Sequence, residues 1–121
     1  MYMKKDTGLL PFIPMPRFII ESNISVNAKL AYGLIYNRAI LSQINNWIDN
    51  EGNVYVIYTI TELAGNLGLS ERTINNVLNE LEKAGFIKRK RKGLNRPNYI
   101  YVIIPTGVKP INADTKLPEY L

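Results

Sequence analysis

The sequence predicts an α+β domain, a winged helix-turn-helix with an additional small N-terminal hairpin and an extended arm. Three observations lead there. Residues 61–84 hold a short helix, a turn at Gly68 and a second, amphipathic helix with Ile74, Val77, Leu78 and Leu81 at helical spacing. A basic run, Lys88-Arg89-Lys90-Arg91-Lys92, follows and passes through a turn-rich segment into Tyr99–Ile104, whose β-branched and aromatic residues mark a strand. Two helices with apolar faces cannot bury those faces alone, so a helix upstream and the strands of the hairpin must complete a mixed core.

Taken in order, Lys4-Lys5 precedes an apolar stretch, Leu9–Met15. Pro11, Pro14 and Pro16 forbid a continuous helix there, Arg17 ends the run, and no signal-peptide cleavage pattern follows, so Leu9–Ile20 reads as an extended arm docking its apolar side chains on the body. Ser25 is placed to cap a scaffold helix whose stripe is Leu30, Ala31, Leu34, Ile35 and Leu41. Asn50-Glu51-Gly52-Asn53 is a turn signal that folds Trp47–Asp49 back on Val54–Val56, in a strand running to Tyr58. Trp47 is expected in the core, as large aromatics usually are, although its hairpin and the proline-rich arm are also candidate interface pieces.

Thr61 is expected to cap the first helix of the motif, Glu62–Leu67, with Leu63, Leu67 and Leu69 locking it to its partner. Residues 1–104 form the domain. Residues 105–121, with three prolines, a glycine and mixed polar residues, read as a linker toward a missing C-terminal domain.

The second helix carries the informative surface. Ser70 can cap its first amides, and the face opposite Ile74 collects Arg72, Asn76, Asn79 and Lys83, with Thr73 and Asn75 on the flanks. Such a face can read base edges in a major groove. Asn pairs with adenine N6 and N7, Arg with guanine O6 and N7, and a Thr methyl touches a thymine methyl. An ordinary solvated helix face has the same polarity, so the helix alone leaves both readings open.

Charge weighs toward the first. Six of the fifteen basic residues, Lys88, Arg89, Lys90, Arg91, Lys92 and Arg96, lie within nine positions; without them nine basic residues face ten acidic ones, and the net charge falls from +5 to −1. The positive field is local, as expected of a surface that meets a polyanion. The competing reading is an edge strand blunted by Lys and Arg against aggregation. Because side chains alternate along a strand, only part of the run faces a duplex at once, and Arg89, Arg91 and Arg96 are the favoured set.

Composition excludes other classes. With no cysteine and no histidine the chain has no disulfide and no thiolate or imidazole metal site, and no cofactor is indicated. The absence of a leader or an apolar span points to an intracellular, cytoplasmic protein without a membrane partner. Catalysis is not expected. Tyr99 and Tyr101 lie beside the basic cluster, but the paired histidines that serve a tyrosine nickase are missing, and Asp49 and Glu51 fall in a turn where solvent suffices for them.

The series Phe12-Ile13-Pro14, Leu30-Ala31-Tyr32, Leu41-Ser42, Asn45–Gly52, Val54-Tyr55 and the helix-turn-helix through Gly85-Phe86-Ile87 resembles the N-terminal domain of RepA-type plasmid replication initiators, the RepA_N family of Gram-positive bacteria. The resemblance covers roughly residues 9–104, and its most specific piece is the Trp47-centred stretch. It implies a homodimer that binds repeated sites (iterons) in double-stranded plasmid origin DNA, ahead of a C-terminal domain that engages host replication proteins.

The expected mechanism places residues 70–84 in a major groove. Arg72 and Asn76 carry direct readout, Asn75 and Asn79 assist, Thr73 meets phosphate or a thymine methyl, and Ser70 caps. Lys88 to Lys92 with Arg96 clamp the flanking backbone or enter the minor groove. A winged-helix transcriptional repressor would use the same surface at an operator, and a winged helix devoted to protein contact is a third possibility.

Overall fold

The computed structural model describes residues 1–111. The last part of the expected linker, residues 112–121, lies outside the described residues.

Among the described residues, four helices and three short strands follow one another, the first helix unforeseen in the sequence: α1 (Arg17–Glu21), α2 (Val26–Ile44), β1 (Val56–Ile57), α3 (Ile60–Leu67), α4 (Glu71–Lys83), β2 (Ile87–Lys90) and β3 (Tyr99–Val102). The strands form one antiparallel sheet in the order β1-β3-β2, with Val56 opposite Ile100 and Arg89 also opposite Ile100 from the other side. Side chains from both layers meet in a single core around Tyr32, Ile35, Leu63, Ile74, Leu81 and Ile100, all at most 2% exposed.

The arm departs from expectation. Leu9 and Leu10 are each 73% exposed and Phe12 is 52% exposed, so the first half of the arm docks nothing on the body. Its second half is helical, because Pro16 sets a fixed φ immediately before α1 and its carbonyl accepts the Ile19 amide at 3.1 Å. Ile19 is buried and Phe18 packs edge-on against Tyr32 and Phe86. Met15 crosses α2 at Gly33, where a Cβ would come within 2.6 Å of its Cε, so the missing side chain makes room for this approach.

Helix α2 begins as expected, with Ser25 Oγ accepting the Ala28 amide at 3.2 Å, and runs to Ile44, three residues beyond Leu41. Its buried stripe is Ala28, Ala31, Tyr32 and Ile35, and it leaves Leu30 and Leu41 about half exposed. Small residues permit close packing on α4, and the stripe they define is turned by one position from the leucine-based one.

The small hairpin is reduced to one bridge, Ile48 with Val54, flanked by the Tyr55 amide on the Trp47 carbonyl at 3.2 Å. Val56 pairs with β3 instead, since the sheet offers its backbone a longer ladder. Trp47 is consequently 45% exposed and stacks on Tyr55, outside the core that was expected to hold it. The expected turn is present: Asp49 Oδ1 accepts the Glu51 and Asn53 amides, each at 2.9 Å, and Gly52 supplies φ +85°.

Asp49 needs more than solvent, contrary to expectation, because its Oδ2 also accepts the Tyr101 hydroxyl at 2.9 Å. These bonds, led by the Asn53 amide, hold the Asp49 carboxyl below its ordinary range. Burial, followed by the bond to Asp49, pushes the Tyr101 hydroxyl up to about 12.

Candidate nucleic-acid interface

Helix α3 starts two residues earlier than the sequence suggested. Thr59 caps it, because Glu62 stands three positions further on and closes a reciprocal box: Thr59 Oγ1 accepts the Glu62 amide at 3.1 Å and Glu62 Oε1 accepts the Thr59 amide at 3.3 Å. Thr61, the expected cap, lies inside the helix. Arg38 of α2 bonds to Glu62 at 3.3 Å, donates to the Ile57 carbonyl at 3.2 Å and lies 3.6 Å over the Tyr58 ring, joining α2, β1 and α3 through one guanidinium.

Gly68 takes the left-handed conformation, φ +67°, that ends α3 and turns the chain toward α4. Ser70 then caps α4, accepting the Thr73 amide at 3.1 Å, and the two hydroxyls lie 2.9 Å apart. All four apolar positions foreseen for this helix, Ile74, Val77, Leu78 and Leu81, are buried.

The opposite face brings Arg72, Asn75, Asn76 and Asn79 into solvent together. They differ in freedom. Asn75 donates to the Glu71 carbonyl at 3.3 Å, and Asn79 accepts from Arg89 Nη2 at 2.6 Å. Arg72 and Asn76, one turn apart, have no side-chain hydrogen bond among the described residues, so their donors and acceptors are open to a ligand.

Gly85, at φ +83°, carries the chain from α4 into the wing, with the Phe86 amide bonding back to the Leu81 carbonyl at 3.0 Å. Register sorts the wing residues. Ile87 and Arg89 share the sheet face that looks toward α4, while Lys88 and Lys90, opposite Tyr101 and Tyr99, lie on the other. Arg89 is half-buried against α4: Glu82 accepts its amide at 3.0 Å, its Nε at 3.1 Å and its Nη2 at 2.9 Å. The Arg89 amide, more than any other group, holds the Glu82 carboxyl below its usual range.

Arg91 and Arg96 are exposed in the loop joining the wing strands, where Gly93 and Asn95 adopt positive φ, and the Lys92 ammonium lies 4.6 Å over the Tyr99 ring. The structure thus gathers the six basic residues on one projection beside α4, with Arg89 held in an ion pair.

Sequence reasoning overlooked Glu80 and Glu82. Glu80 accepts the Ser25 amide and the Ser25 hydroxyl, both at 2.7 Å, fastening α4 to the start of α2. Helical spacing marks both glutamates as solvated positions, and their partners, 55 and 7 residues away, leave no periodic trace.

A capped helix pair turning at a left-handed glycine, followed by a two-stranded basic wing, defines a winged helix-turn-helix protein. The chain belongs to the family described as replication initiator protein A (RepA) N-terminus, whose model matches residues 11–106. It is similar to a 41 kDa protein of Lactobacillus helveticus, 35% identical over 85 residues, an overlap that takes in 64% of this chain and 24% of the relative. The chain therefore spans about a quarter of the length of that curated relative.

Among solved structures, a chain described as the N-terminal domain of a DNA-binding protein and one from a Rep–DNA complex each superimpose with a TM-score of 0.68 at 30% identity, covering 82% of this chain and 79% of theirs. A chain described as an MDR initiator matches with a TM-score of 0.66 at 33% identity, covering 82% of this chain and 81% of its own.

Proposed function

We propose that this domain binds double-stranded DNA sequence-specifically at repeated sites in a plasmid replication origin and so serves initiation of plasmid replication. The observation that carries the reading is the pair of unpartnered side chains, Arg72 and Asn76, on the solvent face of α4 beside a projection of six basic residues. Family membership and the likeness to a chain from a Rep–DNA complex support it.

In this reading α4 lies in the major groove. Arg72 and Asn76 read base edges, Asn75 and Thr73 meet neighbouring bases or phosphate, and Ser70 serves as the cap. Asn79 joins the wing to the helix through Arg89. Arg91 and Arg96 at the wing tip grip the flanking backbone, with Lys88, Lys90 and Lys92 adding to the local field. The domain binds without catalysing a reaction or holding a cofactor, a part of the reading that rests on a composition free of histidine and cysteine.

The proposal extends to a homodimer working in the cytoplasm, with host replication proteins engaged by a region beyond these residues. No helix among the described residues is long and apolar enough to cross a membrane. Repeated sites are commonly met by paired recognition helices.

Selection of bound duplexes from a random pool is the direct test. A defined site that recurs as an array on the source replicon supports the proposal, and the same site confined to a promoter would make the domain a repressor. Failure to enrich any consensus would reject sequence-specific binding. Sedimentation across micromolar concentrations tests the dimer separately, and a monomer throughout would overturn it.

A further inference from the structure

Trp47, Tyr55 and Tyr99 form a ladder of rings that the duplex-reading surface does not use. Tyr55 and Tyr99 lie 4.2 Å apart and 5° from parallel, Trp47 follows at 6.0 Å and 28°, and Lys92 stands over Tyr99. The ladder lies on the sheet face away from α4, the face shared by Lys88 and Lys90. Trp47 is 45% exposed, so it contributes little to burying the core.

The surroundings are suited to an anion with flat rings. Lys88 and Lys90 alternate along β2, roughly 6.6 Å apart, and so point to the same side, and Lys92, in the loop just beyond the strand, lies over the Tyr99 ring of the ladder. Of the nearby carboxylates, Asp49 is occupied by the Tyr101 hydroxyl and two backbone amides, which leaves Glu51 as the open one.

We propose that this face binds single-stranded nucleic acid, with a base stacked on the open face of Trp47 and the backbone drawn along the three lysines. A duplex keeps its base faces in its own stack, so only unpaired bases can extend the ladder. Stacking of this kind tolerates any base, because every base has a π face, and it operates with a cationic track for the phosphates. The site shares the three lysines with the duplex reading but uses neither Arg72 nor Asn76, so variants at Trp47 and at Arg72 separate the two.

Trp47 is the chain's one tryptophan, so its emission reports on the site directly. The full chain is titrated with a twelve-residue oligothymidylate and with an abasic oligomer of equal length. Saturable quenching by oligothymidylate, and binding of the abasic chain weaker by about tenfold, are expected. Fluorescence anisotropy of a labelled oligomer should show about tenfold loss for Trp47→Leu and near-full retention for Trp47→Phe. Selected-duplex binding by Trp47→Leu should remain, which establishes that the variant is folded, and Arg72→Ala should leave the quenching unchanged.

Absence of quenching, equal affinity for the abasic oligomer, or an unchanged oligomer affinity in Trp47→Leu would each overturn the proposal. Loss of self-association in Trp47→Leu with oligomer binding intact would also overturn it and make the ladder a protein contact. None of these results bears on duplex recognition by α4, so the two proposals fail separately.

Discussion

Glu82 of α4 holds Arg89 of β2 through three hydrogen bonds, one of them to the Arg89 backbone, and so ties the wing to the recognition helix at a fixed point. The backbone bond fixes the strand itself, while the guanidinium fixes the side chain and passes on to Asn79. This pair should behave as a unit. A double-mutant cycle over Glu82→Ala and Arg89→Ala, read by urea unfolding, should give a coupling of about 0.5–1.5 kcal/mol, reduced from the value for a buried charge-assisted pair by partial exposure. Strict additivity would show that the contact is energetically silent.

Arg72→Ala should weaken binding to the selected duplex by about 1–3 kcal/mol and relax preference at one base position. Asn76→Ala should do the same at a different position. Equal losses on selected and random duplex would reassign either side chain to the backbone.

Phosphate contacts by the wing add affinity through counterion release without reading sequence. With about four to six phosphates neutralised per protomer, log K should fall against log salt with a slope of roughly −4 to −5. Arg91→Ala and Arg96→Ala should each reduce that slope by about one and leave the consensus unaltered. A slope near zero would remove the electrostatic part of the proposal.

Acid should destabilise the domain through identifiable groups. The Thr59 amide holds Glu62 low, the Arg89 amide holds Glu82 low, and the Asn53 amide holds Asp49 low. A carboxyl with a folded pKa below its unfolded value binds fewer protons when folded, so its stabilisation is present above the unfolded value, about 4, and is lost as pH falls through the folded one. Urea midpoints should therefore decline below about pH 4.5, and Glu62→Gln and Glu82→Gln should each flatten the decline. A wild-type midpoint constant down to pH 3 would contradict this.

The motif was legible because its signals are local. Ser70, the stripe from Ile74 to Leu81, Gly68 and the basic run all express themselves within a few residues of where they act, and the structure places them as the periodicity requires. What failed depended on competition between neighbours. Thr59 and Thr61 are equivalent as hydroxyls, and Glu62 decides between them by the distance it can reach back. Leu30 looks more like a core residue than Ala28, yet close approach of α4 to α2 favours the smaller side chain. Trp47 could be placed only by knowing that β3 would take Val56 away from the hairpin. At the candidate site, the exposed face of α4 was readable, whereas the attachment of Arg89 to Glu82, and of Glu80 to Ser25, required the fold.

Those two glutamates, two residues apart, point to nearly opposite sides of α4, and each grips a different neighbour: Glu80 the N-cap residue of the scaffold helix, Glu82 the wing. The helix is thereby pinned against both rolling and sliding before any DNA arrives. A reader preorganised in this way loses little freedom on binding, so more of its contact energy is left to discriminate between sequences. It also carries its angle of approach with it, and a repeated site must present the groove at that angle each time.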